Sequence, residues 1–122
     1  MGKRILIVDD SSSMRTVAGI ALRGAGYEVL EAGNGQEGLA RLDGERIHLI
    51  ISDVNMPVMD GIEFLKEVKR HPHYRFTPVI MLTTEAGESK KAAGRAAGAK
   101  AWIVKPFQPS VMLDAVSKLV MA

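Results

Sequence analysis

An α/β fold on a parallel sheet is what this chain predicts, and three features predict it. Short apolar runs at residues 4–8, 27–32, 49–53, 78–83 and 101–104 alternate with stretches whose apolar residues recur at helical spacing. The middle run, Leu49-Ile50-Ile51, has no polar face, as a strand covered on both sides requires. Chemistry-bearing residues stand where the runs stop: Asp9-Asp10, Asp53, Thr83 and Lys105. The expected architecture is a doubly wound sheet of five parallel strands with five helices.

Taken in order, Arg4 to Val8 is the first strand, ended by Asp9-Asp10. Ser11 to Ser13 suit a helix cap, and Met14, Val17, Ala18, Ala21 and Leu22 form an apolar face before Gly24 and Gly26 stop the helix. Tyr27 to Ala32 is the second strand and Gln36 to Leu42 a short, weakly patterned helix. The third strand ends at Asp53. Pro57 forbids a simple continuation, and Asp60-Gly61 turns the chain into a helix with Ile62, Leu65 and Val68 inward and Glu63 and Lys66 outward. That helix ends by His71 because Pro72 follows. Pro78 to Thr83 is the fourth strand.

The fourth helix spans Glu88 to Gly98, with Ala92, Ala93, Ala96 and Ala97 read as its inward positions. They bury little area, and Gly94 in the middle costs about 1 kcal/mol against Ala. This is the least firmly held element. Ala101 to Val104 is the fifth strand, and Met112, Ala115, Val116, Leu119 and Val120 line the last helix, with Pro109 near its start.

A chain of 122 residues fits one domain, taken as residues 1–122. With 47% hydrophobic and 25% charged residues it matches neither a disordered segment nor a membrane span. Its N-terminus meets charge too soon for a signal peptide, and the expected location is cytoplasmic. Absence of cysteine removes disulfides and thiolate chemistry. A net charge of +2 without a long basic run argues against nucleic acid as partner.

The strand ends carry the chemistry. In an open α/β sheet ligands bind at the carboxyl edge, where Asp9, Asp10, Asp53 and Lys105 converge. Like charges about 4 Å apart repel by around 4 kcal/mol at an effective dielectric near 20. Lys105 offsets one of three negative charges, and a divalent oxygen-seeking cation such as Mg²⁺ would cancel the rest, with the Asn55 carbonyl as a further ligand. Beside such an ion, Asp53 can act as nucleophile toward a phosphoryl group. Thr83 stands where its hydroxyl could meet that group, and it leads straight into the thinly packed fourth helix.

Asp9-Asp10, Asp53-Val-Asn-Met-Pro-Val-Met-Asp-Gly, Thr83 and Lys105-Pro106, in this order and spacing, resemble the receiver domain of two-component response regulators. The likeness spans the chain and is strongest to the stand-alone, CheY-like chemotaxis type, which implies strand order 2-1-3-4-5. The resemblance implies that Asp53 accepts a phosphoryl group from a histidine kinase, and that Asp10, Asp53 and the Asn55 carbonyl bind Mg²⁺ with Asp9 helping through water. It implies that Lys105 and Thr83 hold the phosphoryl group, that Lys105-Pro106 is cis, and that Asn55 and Glu85 modulate phosphoryl lifetime. Trp102 stands at the family's aromatic switch position, usually Tyr or Phe. Lys90, Lys91, Arg95, Lys100 and Trp102 are candidates for the partner-binding face. The flagellar motor switch is the leading partner, a phosphatase another, and a monomer that assists its own phosphorylation and dephosphorylation, without being an enzyme, is expected.

Other readings stay open beside it. A phosphorelay intermediary or a non-chemotactic regulator is the runner-up. A flavodoxin-like carrier would take Ser11 to Ser13 as a phosphate loop, but Asp9 and Asp10 would repel a flavin phosphate. A phosphatase with an aspartyl-phosphate intermediate wants an acid/base two residues past the nucleophile, and Asn55 cannot serve. Gly33-Asn34-Gly35-Gln36-Glu37-Gly38 matches G-x-G-x-x-G but follows the second strand, so it reads as a decoy. His71-Pro72-His73 reads as a solvated turn, and Trp102, taken alone, as a half-buried packing residue with its N–H satisfied.

Overall fold

The structure, a computed structural model, describes residues 2–84 and 88–120, with the side chains of residues 88–90 outside that description. Its elements run β1 (Arg4–Val8), α1 (Ser12–Gly24), β2 (Glu28–Ala32), α2 (Gly35–Ala40), β3 (Leu49–Asp53), α3 (Gly61–Arg70), β4 (Val79–Thr83), α4 (Glu88–Ala96), β5 (Ala101–Val104) and α5 (Pro109–Leu119). All strands pair in parallel, in the order β2-β1-β3-β4-β5. The expected topology is the observed one. Boundaries move by a few residues where turns intrude: α4 stops at Ala96 because Gly98 takes φ +109° to leave the helix.

Alternation along β1 divides the core into two layers. Leu6 and Val8 join Ile50, Val79 and Met81 beneath Phe64, Leu65 and Val68 of α3. Ile5 and Ile7 join Leu49, Ile51, Ile80 and Leu82 beneath Ala18 and Leu22 of α1 and Met112 and Val116 of α5. These side chains are essentially inaccessible, and each large aliphatic among them contributes about 1.5–3 kcal/mol. The unbroken apolar strands in the sequence are therefore the signature of a sheet covered on both faces.

Caps fix where the helices begin. Ser11 Oγ accepts the Met14 N–H, Asn34 Oδ1 the Glu37 N–H and Asp60 Oδ1 the Glu63 N–H, each worth about 1 kcal/mol. At Gly61 a Cβ would stand 2.0 Å from the Asp53 carbonyl oxygen, and its N–H donates to Val54 O at 2.7 Å. Only glycine permits that approach, so the start of α3 is pinned against the end of β3.

Two helical phases differ from the sequence reading. Val17 of α1 is 51% exposed, because the helix buries the narrow face of Ala18, Gly19 and Leu22. In α4, Ala92, Ala93 and Ala96 face solvent, whereas Gly94 is buried and Lys91 and Ala97 are half-buried. The phase there is set by a large ring that needs a residue without a side chain opposite it: a Cβ on Gly94 would meet Trp102 Cζ3 at 2.5 Å. The glycine-rich stretch around α2 is likewise a packing device. A Cβ on Gly35 would collide with Met59 and one on Gly38 with Phe64.

Candidate functional site

Asp9 follows β1 directly and Asp53 closes β3, two strands that pair through Val8 and Ser52. That adjacency brings Asp9, Asp10 and Asp53 together, with carboxylate oxygens all within 4.8 Å of one another. Asp9 and Asp53 are buried and Asp10 is exposed, so the cluster opens to solvent through Asp10. Asp9 is held firmly. Its Oδ1 accepts the Ser11 N–H at 2.9 Å, its Oδ2 accepts from Lys105 Nζ at 2.7 Å, and its carbonyl accepts from the Arg15 guanidinium.

Lys105 is the cation inside the cluster, with Nζ 3.4 Å from Asp53 Oδ1 as well. It follows β5, which pairs with β4, and its N–H donates to Thr83 O at 2.6 Å. The Lys105-Pro106 bond is cis, as expected. One ammonium does not neutralise three carboxylates. Burial, then the Asp9 charge, raise the Asp53 carboxyl from its ordinary 3.8 to about 6; Lys105 opposes them, and Asp10 adds to the rise. Asp53 therefore stands in a site short of positive charge. Hard carboxylate oxygens that want more cation suit Mg²⁺, and among the described residues no other group of three acidic or histidine side chains converges this way.

Thr83 is fully buried and lies one residue beyond Leu82, the β4 partner of Asp53, so it shares the edge with the carboxylates. Asn55 follows in the exposed turn after β3. Trp102 sits in β5, paired with Met81, and its half-buried indole packs on the α3 side of the sheet. Its N–H is buried with no acceptor among the described residues, contrary to the expectation of a satisfied donor. Lys91, Arg95, Lys100 and Trp102 line one surface cavity of about 310 Å³ with Ala99 and Ala101. Glu85 lies outside the described residues, as does the Lys90 side chain. His71 and His73 stack loosely with Tyr74 at the far end of α3, where the His73 N–H donates to His71 Nδ1.

Sequence reasoning missed the supports of this site. Ser11 and Arg15 fix Asp9 through backbone groups, which no spacing rule exposes. Gly94 read as a weak point in a helix. The signal available for it was the oversized aromatic at 102, which needs space from some neighbour.

Fold and acidic edge together define a receiver, the signalling module of two-component systems. A family model described as response regulator receiver domain matches residues 5–117, and the chain belongs to that family. Chemotaxis protein CheY1 of Helicobacter pylori is 40% identical over 113 residues, 91% of this chain and 91% of that protein. The structure of chemotaxis protein CheY4 of Vibrio cholerae is similar with a TM-score of 0.93 at 47% identity, covering 98% of this chain and 99% of that one. The receiver domain of the sensor histidine kinase PA1611 of Pseudomonas aeruginosa, solved with a magnesium ion coordinated in its active-site cleft, has a TM-score of 0.91 at 26% identity over 100% of both chains. Among the described residues, no helix is long and apolar enough to cross a membrane.

Proposed function

We propose that residues 1–122 act as one phosphoacceptor domain, a chemotaxis-type switch phosphorylated on Asp53 by a histidine kinase. The observation that carries this reading is Asp53 itself, a buried strand-end carboxylate between two further carboxylates and one ammonium, with its carboxyl raised to about 6. Asp10, Asp53 and the Asn55 carbonyl would hold Mg²⁺, with Asp9 acting through water. The bound ion supplies positive charge to the phosphoryl oxygens. An Asp53 carboxylate oxygen bonds to phosphorus as the P–N bond to the donor imidazole breaks, and that imidazole regains a proton. Lys105 and the Thr83 hydroxyl take phosphoryl oxygens, whose charge of about −1.5 to −2 exceeds what Asp53 carried.

Asn55 stands where a hydrolytic acid/base would be needed, which favours a lasting signal over turnover, and Glu85 is the second position assigned to lifetime. Thr83 and Trp102 transmit the change to the face bearing Lys90, Lys91, Arg95 and Lys100. The flagellar motor switch is the proposed partner there, a phosphatase a further one, and the protein acts as a cytoplasmic monomer. Intact mass after incubation with Mg²⁺ and phosphoramidate tests the chemistry: wild type gains one phosphate and Asp53→Asn none. A gain in both proteins would mean a different acceptor. Binding of a motor-switch N-terminal peptide only in the presence of beryllofluoride supports the chemotactic role, and absent or phosphate-independent binding favours a relay or other regulator.

A further inference from the structure

Gly94 and Trp102 fit each other as notch and ring. Trp102 is the only tryptophan in the chain. Gly94 lies in the last turn of α4, buried on the helix face that meets β5. A Cβ built on it would fall 2.5 Å from Cζ3 and 3.2 Å from Cε3 of the indole, and 3.5 Å from Ile62 Cδ1. The first of these distances is impossible for packed carbon atoms, so helix and ring cannot keep their places with any residue but glycine at 94. Glycine within the helix weakens α4, and the fit against the ring offsets that weakness.

The ring's seat is not a comfortable one. Its N–H is buried without an acceptor among the described residues, a condition that disfavours the seated orientation. Two opposed effects therefore meet at one side chain. Packing against the bare Cα of Gly94 holds the indole under α4, and the unpaired donor pushes it toward any place where it finds an acceptor.

We infer that Gly94 is the positioning residue for Trp102, its missing side chain forming the notch that seats the indole under α4 and couples the ring's place to that of the helix. The inference rests on the proposed phosphorylation of Asp53 only for its signalling consequence; the notch itself is independent of it. Thr83, drawn toward a phosphoryl group on Asp53, ends the strand that precedes α4 and pairs with the strand carrying Trp102. A shift of α4 closes or opens the notch, and the indole follows. Adding a single methyl at 94 therefore changes the switch without touching any group that meets phosphate.

The lone tryptophan makes the test direct. In Gly94→Ala the indole is expelled: its emission shifts to longer wavelength, acrylamide quenches it several-fold more strongly than in wild type, and the melting temperature falls. In a Trp102→Val background the same Gly94→Ala exchange raises the melting temperature, because only the helix preference of Ala remains. This reversal of sign separates a notch from a generally intolerant helix. Equal destabilisation in both backgrounds, or an unchanged emission spectrum in Gly94→Ala, would overturn the inference. For the coupling, Mg²⁺ and beryllofluoride change the emission of wild type and leave that of Gly94→Ala nearly unaltered; an equal response in both proteins refutes it. Should intact mass show no phosphate on Asp53, the functional reading fails while the background-dependent reversal still decides the notch.

Discussion

Asp53→Asn should stabilise the metal-free protein, and by an amount that depends on pH in a calculable way. In the folded chain the carboxyl titrates at about 6, raised from its ordinary 3.8 by burial and by Asp9. Between those two values the folded protein keeps a proton that the unfolded chain has lost, so wild type loses stability as pH rises. Below about pH 4 both states are protonated and the difference closes; above about 6 the whole penalty is present. The rise is worth about 3 kcal/mol at 1.36 kcal/mol per pH unit. That figure already includes the opposing attraction of Lys105, 3.4 Å from Asp53, so the gain in Asn is about 3 kcal/mol, or about 12 °C in melting temperature for a domain of this size. Thermal melts in EDTA at several pH values, on both proteins, measure it. A difference that is flat with pH, or a wild type more stable than the variant at pH 8, would refute the argument that the cluster is short of positive charge.

Lys105→Met leaves Asp9, which is fully buried, without its ammonium partner, and urea denaturation should show a loss of about 3 kcal/mol or more. The same variant lets the Asp53 carboxyl rise further, which carboxyl-selective NMR titration would detect as a higher midpoint; an unchanged midpoint would contradict the assigned geometry. Val58 holds φ +72° in the exposed turn after β3, a conformation that a β-branched residue resists, so Val58→Gly should stabilise by about 1 kcal/mol in the same denaturation assay. Gly61→Ala, whose Cβ would strike the Asp53 carbonyl, should cost about 3 kcal/mol and reduce phosphoryl uptake, since the end of β3 must move.

Strand topology and the acidic edge were legible because each rests on a local rule that tertiary context reinforces. Leu49 to Ile51 carries no polar face, and a carboxylate that ends such a run has only the sheet edge to occupy. The same logic places Asp9, Asp53, Thr83 and Lys105 together from the sequence alone. The phase of α4 was not legible: alanine is compatible with either face of a helix, and the deciding partner, Trp102, belongs to another element. The exposure of Val17 escaped for a related reason, since α1 buries a narrower ridge than its apolar residues suggest. Nor could composition reveal the unpaired indole N–H, which depends on what surrounds a ring once it is seated.

The measurement closest to the centre of this account is a calorimetric titration of Mg²⁺ into the metal-free protein near pH 8, beside Asp10→Asn and Asp53→Asn. A cluster of three carboxylates and one lysine predicts a single site in wild type, weakened at least tenfold in each variant. Absence of binding in wild type, or equal affinity in all three proteins, would show that the charge imbalance at the sheet edge is relieved by something other than a divalent ion.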